Sequence, residues 1–395
     1  MPIDYQQIYQ KIREIGAGAG ERKKTLDERR ARARDQFGRQ SDQLELLRLK
    51  VDAAQAADPN IRCALPVGES LSAHFAPQVS AKNLTLIATD GSQISPDRNV
   101  SIQYCLVNVG AIAMQLDSGK VTDISTDSEL LLEEEWERNY GPATEGIIAL
   151  QRDIRERGKL EDMAKRYPAP VVTFTDGPME LWEPKNFDEL KAFNAQLPRY
   201  LGVLSRLQEK GIITAGYIDK PAENLVIRLL EIASATPENL KDLRNYHPLQ
   251  LVTDRWLFGE LDRPLLPPGH RSAVFGIQSN SQKNYKGVLS LHFFYINVGS
   301  LKHPWPVRVE VPKWVADDPV KLNLLHTVLV EQCSMMGSNP YPYLLHRAHE
   351  TAVVKYAEKE QLRQMLEQEL RNQNEDIDSP SPKQTEKELP GRSRR

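Results

Sequence analysis

Two aspartates in similar surroundings are the residues of this sequence that are best placed to do chemistry. Asp90 closes the run of apolar and β-branched residues at 84–89, and Asp176 closes a second such run at 170–175. Each run predicts a buried strand, and each aspartate is followed by glycine. An Asp-Gly pair often only begins a turn, which would suffice to explain one copy. Two copies, each after a largely apolar strand, favour carboxylates that meet at one metal site.

Such a metal site would suit a divalent cation. Carboxylate oxygens are hard ligands for Mg²⁺ or Mn²⁺, and an imidazole shifts the preference towards Mn²⁺. Where two ions lie together, one activates water and the other stabilises the leaving oxygen of a phosphodiester. We expect a third acid from a helix and choose Glu145, because the helix predicted over 143–165 leads directly into the strand of Asp176. Glu156 and Glu161 remain alternatives, and an acid in a first helical turn is also explained by the helix dipole.

Two cations lie where they could contact a phosphate. Lys220 ends the short apolar segment 211–220, and Arg271 lies in a Gly-His-Arg-Ser loop. A lysine at the end of a strand can hold a phosphate as a point charge. Each residue also has an ordinary explanation, as an exposed turn lysine before proline and as a loop salt-bridge partner. Both are candidate substrate-binding residues.

Aromatic and imidazole groups come together late in the sequence. Tyr341 precedes His346 and His349, which are three residues apart and can share one helix face. The pair lacks the glutamate spacing of a zinc-protease helix, and a single histidine here would more often be structural than a ligand. An alternative role for Asp90 is that of a phosphatase-type nucleophile. That role ranks lower, because such chemistry usually places an aspartate two residues later, where this chain has Ser92.

Strand and helix segments alternate through most of the chain, which predicts an α/β sheet with helices packed on it. An antiparallel meander should follow Asp90, and the last ordered element should be a helix from about 342 to 366. Near the N-terminus, a short helix is expected at 3–15. Residues 21–57 are charged and free of proline, which predicts one long exposed helix that docks only by its last turns. Its arginines could contact phosphates or a partner subunit, but a solvated face is the better explanation.

Composition limits the classes of protein that fit. The net charge of −3 gives no overall field that would attract nucleic acid, so any basic surface must be local. The three cysteines are widely spaced, which argues against a disulfide framework and a structural zinc site. Neither a signal peptide nor a stretch apolar enough to cross a membrane is recognisable. We therefore expect a soluble protein of the cytoplasm without a membrane partner.

Five motifs in a fixed order resemble those of the NurA family, nucleases that work with the HerA ATPase in DNA-end processing. The resemblance spans about residues 60–365. The motifs are TDGS at 89–92, TDGP at 175–178, GHRSAVF at 269–275, RVEVPKWV at 308–315 and YPYLLHRAHE at 341–350. Each motif alone is weak, whereas their order is specific.

The resemblance implies an RNase H-like core and Mn²⁺-dependent cleavage of DNA, commonly by a homodimer docked on a hexameric HerA-type translocase. The family's metal and active-site residues map onto Asp90, Asp176 and His349, with Tyr341 about two helical turns before the histidine. The family's middle glutamate maps less securely, and Glu145 is its best match. Departures from the family pattern are the long charged N-terminal arm, an insert at 236–266 and a polar tail.

Together these observations predict an RNase H-like mixed sheet flanked by helices, with a charged helical arm at 1–57, a nuclease domain at 58–365 and a disordered tail at 366–395. The predicted function is a deoxyribonuclease of DNA-end resection and double-strand break repair that uses two Mn²⁺ or Mg²⁺ ions. Its metal ligands would be Asp90, Glu145, Asp176 and His349. Tyr341 and Lys220 would orient the phosphate. The alternative is a catalytically silent DNA clamp or motor adaptor of the same fold.

Overall fold

A computed structural model describes residues 3–78, 82–98, 102–261 and 263–373. The chain divides into two compact units. The first comprises Met1–Gln78 and Ile218–Ala316, and the second comprises Val79–Tyr217 and Asp317–Arg395. Within the described ranges, no helix combines the length and apolarity needed to cross a membrane.

The elements of the described residues are numbered here in chain order. The helices are α1 (Tyr5–Ala17), α2 (Ala19–Gln40), α3 (Leu44–Ala57), α4 (Glu133–Tyr140), α5 (Glu145–Ala164), α6 (Phe187–Glu209), α7 (Leu225–Ser234), α8 (Pro237–Leu240), α9 (Asp254–Phe258), α10 (Lys313–Ala316), α11 (Pro319–Ser334), α12 (Tyr343–Ala352) and α13 (Tyr356–Asn372). The strands are β1 (Cys63–Pro66), β2 (His74–Phe75), β3 (Thr85–Ile94), β4 (Tyr104–Gln115), β5 (Asp123–Leu132), β6 (Val171–Asp176), β7 (Ile213–Ile218), β8 (Arg271–Ser272), β9 (Phe275–Gln278), β10 (Leu291–Asn297) and β11 (Pro306–Pro312).

The second unit is built on a mixed sheet in the order β7-β6-β3-β4-β5. Strands β3, β4 and β5 form the predicted antiparallel meander, whereas β6 runs parallel to β3 and β7 runs parallel to β6. Parallel neighbours require a crossover, which α5 supplies before β6 and α6 supplies before β7. Three antiparallel strands followed by two parallel ones give the order of an RNase H-like core. The predicted mixed sheet flanked by helices is therefore confirmed.

The sequence predicted that the first strand ends at Asp90, but β3 extends beyond that residue. It continues to Ile94, because β4 stays paired with it from Gly91↔Val109 to Ile94↔Leu106. What ends near Asp90 is the pairing of β3 with β6, whose last partners are Thr89 and Thr175. In β6 the expected turn does occur, since Gly177 has a φ of 85°.

The first unit carries an antiparallel sheet in the order β1-β9-β10-β11, and the short strands β2 and β8 pair beside β10. Helices α3 and α7 pack on β1. The single long helix predicted over 21–57 is instead two helices, α2 and α3. Docking also starts earlier than predicted, because Phe37 of α2 is buried and its ring meets Phe258 edge to face at 5.9 Å. The insert predicted at 236–266 contributes that partner ring and α9.

The predicted final helix is interrupted between Ala352 and Tyr356, which separates α12 from α13. Helix α13 continues to Asn372, into the segment 366–395 predicted to be a disordered tail. Residues of that tail from 374 onward lie outside the described residues. The domain bounds 1–57, 58–365 and 366–395 stay a prediction. The two compact units divide the chain differently, because segments 58–78 and 218–316 are grouped with the N-terminal helices.

Candidate active site

Asp90 and Asp176 lie side by side on neighbouring parallel strands. The last paired residues of β3 and β6 are Thr89 and Thr175, so each aspartate is the next residue on its strand. Matched residues on parallel strands about 4.8 Å apart face the same side of the sheet. The register thus brings together the two carboxylates that the sequence singled out.

Helix α12 covers this side of the sheet, and its tight docking depends on a glycine. Gly110 of β4 is the register partner of Asp90. A Cβ atom at Gly110 would lie 2.6 Å from the backbone nitrogen of Ala352 and 2.7 Å from the carbonyl oxygen of Ala348. The absence of a side chain at position 110 therefore lets the backbone of α12 rest directly on β4.

The last turn of α12 is anchored by two side chains of the sheet. Ser92 Oγ donates to the carbonyl oxygen of Ala352 at 2.6 Å, and Asn108 Nδ2 donates to the same oxygen at 2.7 Å. Ser128 Oγ donates to Asn108 Oδ1 and orients that amide. The interruption after Ala352 leaves its carbonyl free of a helical partner, so these contacts satisfy a group at the helix end.

His349 is brought to Asp90 by this anchored helix. Its Nδ1 lies 2.6 Å from Asp90 Oδ2, although the two residues are 259 positions apart in the chain. The side chain of Asp90 is 15% exposed and that of His349 is 60% exposed. The carboxylate is therefore sheltered, while the Nε2 edge of the imidazole ring remains available to a ligand. His346 points elsewhere and pairs with Glu350 on its own helix.

Tyr341 lies on the Asp176 side of the site. Its ring meets Tyr217 edge to face, with ring centroids 5.6 Å apart, and Tyr217 is the register partner of Asp176. The buried Tyr217 hydroxyl is also 3.6 Å from Cys333 Sγ of α11. Tyr341 therefore packs on Tyr217, the residue that lies beside Asp176.

Glu156, and not Glu145, is the helix acid beside Asp90. A Cβ atom at Gly91, the residue after Asp90, would lie 2.6 Å from Glu156 Oε1, and the charge of Asp90 acts on the Glu156 carboxyl group. Glu156 approaches from the side of the sheet that Gly91 faces, which is opposite to α12. Glu145 is the exposed first residue of α5, about 16 Å from Glu156 along the helix axis. In this geometry an acid several turns into α5, and not Glu145 at its start, reaches the level of Asp90, so Glu156 is the better candidate of the two. Glu161, the other alternative, instead binds Arg206 and Lys165.

Burial and neighbouring charges shift the pKa of Glu156. Burial raises the pKa of Glu156 well above its usual range, and the charges of Asp153 and Asp90 raise it further. Arg152 opposes this rise, since its Nε lies 3.3 Å from Glu156 Oε1. A buried carboxylate beside further acids favours either a bound proton or a cation.

The chemical types of the side chains at this site suit a divalent cation. Their present spacing is too wide for three of them to bind one ion. Oxygen donors from Asp90, Asp176 and Glu156 with an imidazole nitrogen from His349 are the ligands that Mn²⁺ and Mg²⁺ take in proteins. Within the described ranges, however, no three His, Cys, Asp or Glu side chains are grouped closely enough to hold a metal ion. The side chains would have to converge on an ion for the site to bind it.

The two candidate substrate-binding cations lie in the first unit. Lys220 follows β7 in a turn, and its Nζ lies 5.4 Å from the centre of the Trp305 ring. Arg271 is buried, pairs with both carboxylate oxygens of Glu69 at 2.9 and 3.0 Å, and stacks over Phe75. Of its two explanations, the structure therefore favours the salt-bridge partner.

Sequence reasoning missed the residues that hold the site together. The choice between Glu145 and Glu156 could have been made from helix geometry, because α5 antiparallel to β6 brings its middle, not its start, to the level of Asp90. Ser92, noticed only as a departure from a phosphatase pattern, anchors α12. Nothing in the local sequence marks Asn108 or Gly110, whose roles depend on a helix more than 200 residues away.

A search of curated proteins finds no match. Among solved structures, the chain is similar to Drosophila Piwi, with 10% identity over 70% of this chain and 30% of the Piwi chain, at a TM-score of 0.31. It is also similar to the catalytic domain of human Endonuclease V, with 13% identity over 82% of this chain and 98% of that chain, at a TM-score of 0.33. The chain thus spans less than a third of the Piwi chain that it matches.

The NurA domain model matches residues 84–354, from the start of the Asp90 strand to just beyond the anchored helix. The match covers more than half of the chain and includes Asp90, Asp176, Tyr341 and His349. The chain therefore belongs to the NurA family of nucleases.

Proposed function

We propose that this protein is a metal-dependent deoxyribonuclease whose active site contains Asp90, Glu156, Asp176 and His349. The observation that carries the proposal is the register of β3 and β6, which sets Asp90 beside Asp176 while His349 contacts Asp90. Bound Mn²⁺ or Mg²⁺, as one ion or two, would lower the pKa of a water and stabilise the leaving oxygen of the phosphodiester.

The residues of the chain would contribute in distinct ways. Asp90 and Asp176 would hold the cation at the exposed end of β6. Glu156 would supply the third carboxylate, and a bound cation would offset the burial that raises its pKa. Asp90 holds His349 at Nδ1, so the Nε2 atom is available to the cation or to the substrate. Tyr341 would orient the phosphate beside Asp176.

The biological setting is proposed on the family alone. As a NurA protein, the chain would process DNA ends in double-strand break repair, as a homodimer with a HerA-type hexameric ATPase. Because the net charge is only −3, a lasting grip on DNA would depend on dimerisation and on the motor. Size-exclusion chromatography with light scattering would test the dimer, and co-purification with a HerA-type protein would test the partnership.

The deciding experiment is digestion of end-labelled linear DNA and circular DNA with Mn²⁺, with Mg²⁺ or with EDTA. The wild-type chain should cut with a metal and not with EDTA. Asp90→Asn and Asp176→Asn should each lose cleavage, whereas Asp188→Asn, an exposed acid in the first turn of α6, should retain it. Cleavage by both site variants at the wild-type rate would disprove the proposal.

A second candidate is a silent clamp or motor adaptor, favoured by the absence of a ready three-residue metal group among the described residues. Thermal melting with increasing Mn²⁺ separates the two candidates. A metal that binds the folded state raises the melting temperature. A rise that Asp176→Asn abolishes supports the nuclease, and no rise in the wild-type chain supports the adaptor.

A further inference from the structure

The connection between β10 and β11 presents Trp305 on a rigid support. Buried Asn297 accepts hydrogen bonds at Oδ1 from the backbone nitrogens of Gly299 and Trp305, at 3.1 and 2.9 Å. Asn297 Nδ2 donates to the carbonyl oxygen of Leu266. The indole Nε1 of Trp305 donates to Asp219 Oδ1 at 2.9 Å. Both the backbone and the ring plane of Trp305 are therefore set before any ligand arrives.

Two cations converge on that ring. The guanidinium carbon of Arg255 lies 4.0 Å from the ring centre, and Lys220 Nζ lies 5.4 Å from it. Arg255 reaches this position because α9 ends tightly against β11: a Cβ atom at Gly259 would overlap Pro306 Cγ. The negative face of an indole attracts cations, which explains why both side chains settle there.

These two cations lack the carboxylate partners that three buried or half-buried arginines of the unit have. Arg62, Arg271 and Arg308 each bind a glutamate. Across residues 3–78, 218–261 and 263–316, by contrast, Arg255 and Lys220 form no ion pair with a carboxylate. Asp219 supplies one nearby negative charge, but it is engaged by the indole N–H. The group keeps an excess positive charge and unused N–H donors, which is the chemistry of an anion site.

We propose that Trp305, Arg255 and Lys220 form a binding site for a phosphodiester group of a DNA strand. The proposal rests on the nuclease function, which makes DNA the anion that the protein meets. This site has a different role from the metal-ligating residues, because it binds the DNA backbone and takes no part in the cleavage reaction. A fixed aromatic ring holding an arginine and a lysine reduces the entropy that two free side chains would lose on binding phosphate.

The test is fluorescence anisotropy of a labelled single-stranded oligonucleotide with the full-length chain in EDTA, so that binding is measured without cleavage. Salt is varied from about 50 to 200 mM, because each lost phosphate contact lowers the slope of log affinity against log salt by about 0.7 for a single strand. The variants are Arg255→Gln, Lys220→Gln and the double substitution. Lys241→Gln, which changes an exposed lysine after α8 in the same unit, is the matched control.

The expected result is weaker binding for each single variant and a slope reduced by about 0.7 in the double variant, which loses the contact to one phosphate. The weakening should be equal for unrelated DNA sequences, and the control should match the wild-type chain. If the double variant keeps the wild-type affinity and slope, the cations serve only to pack Trp305 and the proposal is overturned. Melting temperatures of all variants verify folding, and Arg255→Lys, which keeps the charge, should retain most of the slope.

This test is independent of the nuclease test. Unchanged binding in the double variant, together with loss of cleavage in Asp90→Asn, would overturn the phosphate site alone. A reduced slope in a chain that cuts no DNA would overturn the nuclease function and leave the phosphate site supported.

Discussion

At the scale of single residues, the candidate site depends on which acid lies beside Asp90. Glu156 has the burial and the raised pKa of a carboxylate in need of a cation, and it lies against Gly91, where no side chain intervenes. Glu145, by contrast, is exposed at the start of α5. The two glutamates share a helix and differ in position alone, so they form a matched pair for mutation.

We predict that Glu156→Gln lowers the rate of DNA cleavage on the order of 100-fold, whereas Glu145→Gln leaves it near the wild-type value. The amide keeps the size of Glu156 but cannot supply a negative charge to a cation. Initial rates of digestion at saturating Mn²⁺, with melting temperatures as a folding control, provide the measurement. Equal rates for the two variants would remove Glu156 from the site.

At the scale of elements, the docking of α12 decides where His349 lies. Gly110 allows the backbones of α12 and β4 to touch, and Ser92 with Asn108 caps the helix end. These contacts come from β3 and β4, the same strands whose register positions Asp90. Helix α12, which carries His349, is therefore fixed directly to β3, which carries Asp90.

We predict that Gly110→Ala destabilises the protein by about 1–3 kcal/mol and reduces cleavage, because the added methyl group would force α12 away from β4. Gly158→Ala is the control, since a Cβ atom at Gly158 would meet nothing within 4 Å. In the middle of α5 that change should be neutral or should stabilise by up to about 1 kcal/mol. Chemical unfolding and cleavage rates measure both variants, and a Gly110→Ala protein as stable as wild type would contradict the close approach.

At the scale of the whole molecule, the stability of the chain depends on a buried polar group in the first unit. In the first unit Asp254 is fully buried and accepts hydrogen bonds from the backbone nitrogens of Val226 and Ile227 and from the Tyr295 hydroxyl, at 2.8 to 2.9 Å. Burial raises the pKa of Asp254 to about 6, in spite of these hydrogen bonds. The carboxyl group therefore ties α7 to β10 and makes the stability of the protein depend on pH.

The sign of that dependence follows from proton uptake. Between pH 3.8, the ordinary pKa of the group, and pH about 6, the folded state holds a proton that the unfolded state has lost. The contribution of Asp254 to the free energy of unfolding should therefore fall by about 3 kcal/mol as pH rises through this window. Asp254→Asn cannot titrate, and its single side-chain oxygen cannot serve all three donors, so it should also be less stable.

We predict that the stability difference between the wild-type chain and Asp254→Asn shrinks as pH rises from about 4.5 to 7. Urea unfolding at several pH values, in one buffer of constant ionic strength, measures this difference. Asp188→Asn, which changes an exposed acid, provides the control for general charge effects. A difference that stays constant with pH would show that Asp254 does not carry a raised pKa in the folded protein.

The sequence by itself determined the elements whose signals are local. Alternation and apolar runs located β3, β6 and the meander, the sequence pattern located α5, and the ordered motifs identified the family. Only the tertiary structure decided which residues meet. The contact of Asp90 with His349, the identity of the third acid and the convergence of Arg255 and Lys220 on Trp305 depend on strand register and on helix docking, and these are set by contacts between residues far apart in the chain.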